Sequence, residues 1–272
     1  MKRRDCLTTM ALMGIAACTA PLSPLPQRTL QSIGVQLFTL RESMAKDVPA
    51  TLTAVAAAGY DEVETAGTGN MTPQAFAHAL ADSGLTAPSA HVPLNLLHEQ
   101  PEELLESAET IGYRYLVVPW MPPEMRTRDG YLRVADLLNR FGEQSAAHGI
   151  QTCYHNHDFE FEALGDQNGM QLLLDTCDPR LVNFELDLYW TEHAGIDPAA
   201  YLAARPERFP LCHVKDRDVS GNMVDVGDGE IDFSSAFAAG RDIQHYFVEH
   251  DRPADPLRTI RRSITALRAI NY

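Results

Sequence analysis

Cysteine is scarce and poorly spaced for structural work. The chain has five, and Cys6 and Cys18 lie in an N-terminal segment of targeting character. Cys153, Cys177 and Cys212 show no CxxC spacing, and Cys153 and Cys212 sit inside apolar, strand-like runs. Buried free thiols are therefore expected rather than structural zinc or a disulfide framework, although an oxidising compartment would still permit one bridge. Positive charge is also in short supply: 22 Lys and Arg stand against 37 Asp and Glu, a formal net charge of -15. Nucleic-acid binding is disfavoured, because phosphate contacts need clustered Lys and Arg. An acidic surface suits a neutral or cation-assisted small ligand. The apolar stretch from Leu7 to Ala17 is too short to cross a bilayer as a mature helix. No Gly-rich phosphate fingerprint follows the first strand-like run, which disfavours a doubly wound open sheet. No linker divides residues 31–272.

What is present is a chain of 272 residues, 45% hydrophobic and 22% charged. That is enough apolar material for a substantial core, in the size range of one large α/β barrel or two small domains. Residues 1–18 read as a signal peptide: Lys2, Arg3 and Arg4 form a basic n-region with a twin arginine, followed by the apolar stretch. Ile15-Ala16-Ala17-Cys18 resembles a lipobox in which Cys18 would be lipidated; an ordinary secretory signal is the alternative. Either implies export to the periplasm, with contact to a membrane only through a lipid anchor. Residues 19–30, rich in Pro and Thr, read as a tether. Residues 31–272 form the catalytic domain.

From Ile33 onward, short apolar runs alternate with longer amphipathic ones. Strands are predicted at Ile33–Leu37, Glu62–Glu64, Ala87–His91, Tyr115–Val118, Thr152–Asn156, Val182–Asp187, Leu211–Val214 and Tyr246–Glu249. Helices are predicted at Val48–Ala58, Pro73–Ser83, Pro101–Ile111, Gly130–His148, Met170–Thr176, Pro198–Ala204, Phe233–Ala239 and Asp255–Ala269. Several helices open on Pro, Asp or Thr and several end at Gly59, Gly84, Gly112 or Gly149. Strands of continuous apolar character joined by crossover helices predict a closed parallel (β/α)8 TIM barrel.

Polar residues gather at the C-terminal ends of these strands, the face that carries TIM-barrel active sites. They are Gln36, Glu64, His91, Trp120, His155 with His157, Glu185 with Asp187, His213 with Lys215 and Asp216, and Glu249 with His250. Carboxylates and imidazoles converging from neighbouring strands suit one divalent cation, Mn, Mg, Co or Zn. Taken singly, His155 or His157 also reads as a satisfied loop histidine, Asp187 as a helix cap, and Lys215-Asp216 as a surface ion pair. His78, His98, His148 and His193 read as surface residues.

The order Glu62-Val63-Glu64, Ser89-Ala90-His91, His155-Asn156-His157, Glu185-Leu186-Asp187-Leu188-Tyr189-Trp190, His213-Val214-Lys215-Asp216, Gly227-Asp228-Gly229 and Glu249 resembles the sugar phosphate isomerase/epimerase superfamily of xylose isomerase-like TIM barrels. The resemblance covers residues 31–270. It implies one divalent metal held by His155, Asp187, His213 and Glu249, with a small-molecule sugar or keto-sugar as substrate. Ketose 3-epimerases of this superfamily carry a glutamate where His155 aligns, so the pair of carboxylates that exchanges a proton from opposite faces lacks one member here. A shift of the alignment would make His157 the ligand, and Glu160 or Glu185 would then be the second carboxylate.

The expected chemistry is proton abstraction beside a carbonyl through an enediolate, with Glu249 as base. His157 would protonate a leaving oxygen and Lys215 neutralise a substrate oxygen. Gln36, Glu64, His91, Glu160, Glu185 and Trp190 are the remaining substrate-binding candidates, and Trp190, Trp120 and Phe38 could stack on sugar faces. Elimination on the same site, by a keto-sugar lyase, hydratase or dehydratase, is the alternative. A non-catalytic sugar-binding lipoprotein and a metal-dependent apurinic endonuclease are the competing classes; the second would need a basic groove.

Overall fold

In the computed structural model, which describes residues 28–272, eight parallel strands close on themselves. They are β1 (Gly34–Gln36), β2 (Glu62–Thr65), β3 (Thr86–His91), β4 (Tyr115–Val118), β5 (Gln151–His155), β6 (Val182–Asp187), β7 (Leu211–Val214) and β8 (His245–Val248). β1 pairs with β8 as well as with β2, so no sheet edge is left. One main helix follows each strand: α1 (Val48–Ala58), α2 (Pro73–Ser83), α3 (Pro101–Ile111), α4 (Arg128–Ala146), α5 (Gly169–Thr176), α6 (Pro198–Ala204), α7 (Phe233–Ala239) and α8 (Pro256–Arg268). The fold is the expected TIM barrel in one domain. Among the described residues no helix is long and apolar enough to cross a membrane.

Local chemistry sets the boundaries. Asp47, Thr72 and Asp255 each accept a backbone N–H from the first turn of α1, α2 and α8, with Pro just inside the helix. α1 ends at Gly59, whose φ of 101° lies in the left-handed region that costs other residues a Cβ clash. α4 differs from expectation at its start. Gly130 is not the first residue, because Thr127 is the cap and its hydroxyl accepts the Gly130 N–H at 3.1 Å. β1 is shorter than expected because the Gln36 side chain accepts the Phe38 N–H at 3.0 Å and starts a 3-10 turn over Leu37–Leu40. β5 and β8 each begin and end one residue earlier than predicted. Short helices at Arg41–Met44, Leu96–Glu99 and Leu188–His193 were not anticipated.

Side chains two apart on a strand share a face. Tyr115, Val117, Cys153, Leu211 and Phe247 form a buried cluster of their own, separate from the main core between strands and helices. Cys153, Leu211 and Phe247 share faces with His155, His213 and Glu249, so the barrel interior has an apolar floor beneath a polar ring. Gly34 belongs to that floor: a Cβ there would overlap the Phe247 ring. Cys153, Cys177 and Cys212 are buried free thiols. The expected tether reaches the barrel at Arg28, which exchanges two backbone hydrogen bonds with Tyr272, at 2.8 and 3.0 Å. Cys6, Cys18 and the predicted signal peptide lie outside the described residues.

Candidate metal centre and its cavity

Asp187 shows how the strand ends are aimed. It closes β6 and caps the short helix that follows, with its Oδ1 accepting the Trp190 N–H at 2.9 Å. Its own N–H donates to the side-chain oxygen of Asn156 at 3.0 Å, which ties the end of β6 to the end of β5. The second carboxylate oxygen, Oδ2, is buried with no hydrogen-bond partner. Its nearest charge is the Lys215 ammonium at 3.0 Å, an ion pair without hydrogen-bond alignment, which leaves the oxygen able to take a further partner.

Three other strand ends face that oxygen. His155 Nε2 lies 3.7 Å from it and His213 Nδ1 3.9 Å. Glu249 Oε2 is 2.9 Å from His213 Nδ1. Ligand atoms at bond lengths of about 2.0–2.2 Å around one cation are separated from one another by roughly 3.0–3.5 Å, so these spacings fit a slightly open cage. Two groups of described side chains have the closeness that a metal requires, Asp187 with His213 and Glu249, and His91 with His155, Glu185 and His213.

Beneath the cage lies a second tier. Glu185 Oε2 touches three imidazoles: His91 Nε2 at 2.8 Å, His155 Nδ1 at 3.1 Å and His213 Nε2 at 3.1 Å. Glu64 Oε2 meets His213 Nε2, accepts from the Gln36 amide at 2.8 Å and lies 3.1 Å from His91 Nε2. Ser89 donates to the other oxygen of Glu64. His155 and His213 thus each turn one nitrogen to the cage and the other to a buried carboxylate, the arrangement that fixes ring orientation in metal sites.

Charge supports the same reading. Glu64, Glu185, Asp187 and Glu249 are four buried carboxylates, and the one ammonium buried among them is Lys215. Its Nζ lies 2.6 Å from Glu249, 2.9 Å from Asp251 and 3.0 Å from Asp187, the last without hydrogen-bond alignment. Against burial, the surrounding carboxylates push His91 up to about 9 and His213 well above its usual value, so protons on these rings offset the negative charge, and a bound cation would take their place. Burial, reinforced by the charge of Glu64, pushes Glu185 up to about 7. For Glu249 burial acts upward, but Lys215 and His213 outweigh it and hold the carboxyl well below its usual range. Burial, then the neighbouring imidazoles, holds His155 neutral, the form a metal needs.

The cage opens into a cavity of about 1170 Å³. His91, His155, His157, Lys215 and Glu249 line its floor. The His157 ring stacks on Phe159 at 5.5 Å and lies 5.4 Å from Trp190, and its Nδ1 is buried without a partner. Burial, then Lys215, lowers its pKa to about 3. His157 belongs to neither group of ligand-spaced atoms. Phe38 and Trp120 are exposed on the cavity wall, each with an arginine over its ring, Arg41 at 4.3 Å and Arg126 at 5.5 Å.

Of the residues expected to contact substrate, His91 lines the cavity and the others lie off its wall. Gln36, Glu64 and Glu185 are fully buried below the cavity and hold the imidazoles. Glu160 is buried to one side, where it accepts from the Tyr154 hydroxyl at 2.6 Å and the His157 N–H at 2.8 Å. Trp190 packs behind His157 rather than on the cavity wall. Lys215-Asp216 is no surface pair: both are buried, and Asp216 accepts the N–H groups of Arg217, Gly227, Gly229 and Ile231. His250 is half-buried and donates its N–H to Thr39. His78, His98, His148 and His193 are exposed. The sequence reading gave no role to Ser89, Asn156, Thr191 or Asp251. Strand alternation offers a signal for two of them, since Ser89 shares a face with His91 and Asp251 continues that of Glu249.

No curated protein matches this chain. Two solved structures of sugar phosphate isomerase/epimerases from Parabacteroides distasonis ATCC 8503 are similar. One is 28% identical with a TM-score of 0.76, covering 86% of this chain and 96% of its own. The other is 26% identical with a TM-score of 0.75, covering 88% and 96%. An IOLI protein with a bound zinc atom shares the fold at 15% identity and a TM-score of 0.68, over 87% of this chain and 96% of its own. The profile of the xylose isomerase-like TIM barrel family matches residues 52–270, and this chain belongs to that family.

Proposed function

We propose that this protein is a divalent-metal-dependent sugar isomerase or epimerase that moves a proton on the carbon beside a carbonyl. The observation that carries the reading is the ligand-spaced group of Asp187, His213 and Glu249, with His155 Nε2 3.7 Å from the same Asp187 Oδ2 that Lys215 Nζ approaches at 3.0 Å. His155, Asp187, His213 and Glu249 would hold Mn, Mg, Co or Zn. When bound, such a cation supplies Lewis-acid polarisation of the carbonyl and its neighbouring hydroxyl. The zinc-bound IOLI relative and the isomerase/epimerase names of the two Parabacteroides structures support this assignment.

The chain's own groups do the rest. Glu249, kept ionised beside Lys215, takes the proton from carbon and leaves an enediolate. Returning that proton to the neighbouring carbon isomerises the sugar; epimerisation needs a second group to deliver another proton to the opposite face while Glu249 keeps the first. Lys215 offers an ammonium to a substrate oxygen. His157, held neutral on the cavity floor, is placed to hydrogen-bond a substrate oxygen rather than to donate a proton. Incubation with keto-sugars in deuterated water tests the reading: deuterium enters carbon without bond cleavage. Release of water or an aglycone would assign a lyase instead, and retention of full turnover after metal removal would sink the metal-dependent scheme. The proposal also has the enzyme exported, with Cys18 lipidated; a C18S chain that stayed in the membrane fraction would overturn the anchor.

A further inference from the structure

We infer that the cavity carries a second, apolar subsite for the aglycone of a glycoside, so that the substrate is a sugar bearing an aromatic or otherwise apolar group. This rests on the sugar-processing reading of the metal end. Pockets of roughly 300–1,000 Å³ enclose drug-sized ligands. At about 1170 Å³ this cavity holds far more than one monosaccharide over the metal cage.

The extra space is mostly apolar. The wall built from the β3 and β4 loops and from α3 and α4 presents Leu94, Leu96, Leu104, Ile111, Met125 and Leu137 to the same cavity. All six are half-buried. Half-buried apolar side chains converging from four elements mark a surface awaiting an apolar partner. Of the polar groups on this side, the hydroxyls of Thr65 and Tyr113 are hydrogen-bonded to each other at 2.8 Å, Thr68 donates to the Met71 carbonyl and Asn95 to Glu99, while His98 and Ser107 also line the space. The polar side chains that face a sugar lie at the opposite end: His91, His155, His157, Lys215 and Glu249. A free sugar would leave the apolar wall wet, whereas a glycoside spans both ends in one continuous space.

Calorimetric titration of the full chain with methyl and phenyl β-D-glucopyranoside tests this. Neither sugar has a carbonyl, so binding is read without turnover. The phenyl compound should bind about 10- to 100-fold tighter, the range expected from burying one aromatic ring. Leu104→Asn, which makes the wall polar, and Leu94→Trp, which fills it, should each erase that preference while leaving methyl glucoside affinity unchanged, with far-UV circular dichroism confirming that each variant is folded. Equal binding of the two glycosides, a preference that survives both substitutions, or no binding of either overturns the subsite. Deuterium exchange into keto-sugars is scored separately. Exchange without the phenyl preference removes the subsite and keeps the sugar chemistry; the preference without exchange does the reverse.

Discussion

The two halves of the barrel put similar residue types at the same face and use them differently. In the second half, β5 to β8 end in His155, Asp187, His213 and Glu249, and each keeps an atom turned toward one small volume. In the first half, Gln36, Glu64 and Ser89 spend their polar atoms on one another and on the imidazoles, and only His91 reaches the cavity. The first half is a hydrogen-bonded buttress and a mostly apolar wall; the second half supplies the ligand-spaced group of Asp187, His213 and Glu249. A carboxylate at a barrel strand end is thus not by itself a ligand. Its partners decide whether it is spent or free.

The largest effect should separate the halves outright. Glu249→Gln removes the proposed base and should lower deuterium exchange into substrate by about 10²- to 10⁴-fold. Its first-half counterpart, Glu64→Gln, touches no reacting atom and should act through the orientation of His213 and His91. Metal affinity or activity should then fall by about 10- to 100-fold. Metal content by mass spectrometry, read beside exchange rates, distinguishes the two. A Glu64→Gln loss as large as that of Glu249→Gln would erase the contrast. Glu185→Gln tests whether a buttress can live in the second half, because its carboxylate serves three imidazoles and does not face the cavity. The 10- to 100-fold drop in metal affinity should recur there.

The barrel was largely legible in the sequence because each unit announces itself twice. A short apolar strand is followed by a capped amphipathic helix, as in Glu62–Thr65 and then Thr72 capping α2. What was not legible depends on contacts between residues far apart in the chain. Glu64 and Glu185 look like substrate ligands from their strand-end positions; that the Oε2 of each is engaged by His91 and His213, with only Glu185 Oε1 left unpartnered, follows from pairings 27 to 149 residues away in the chain. Asn156 carries no signal in isolation, since its role is to accept the Asp187 N–H from a neighbouring strand. Strand alternation fixes which way a side chain points, but not whether something else has already claimed it.

The loop after β7 offers a smaller and purely structural test of how the second half is held. Asp216 gathers four backbone N–H groups, and a Cβ on Gly229 would overlap its carboxylate and the Arg217 carbonyl. Gly229→Ala should cost about 1–3 kcal/mol through overpacking, visible as a fall in Tm of about 2–4 °C per kcal/mol for a domain of this size. An alanine variant as stable as the parent would show that the loop yields.

Glu160 gives the finest test, because its buried carboxyl supports His157 from behind without touching the cage. Burial pushes its pKa up to about 7, against the downward pull of the Tyr154 hydroxyl and the His157 N–H. A raised acid pKa means that the folded chain holds a proton which the unfolded chain has lost between pH 4.5 and 7. Stability therefore falls as pH rises through that window, with the penalty absent at the acid end and complete above it. Glu160→Gln cannot ionise, so its Tm should vary less across the same window than the parent's. The gap between the two should narrow or reverse toward pH 8, even though the amide gives up one of the two hydrogen bonds. Parallel slopes for parent and variant would mean that Glu160 stays ionised throughout, and that His157 leans on a charge rather than on a neutral acid.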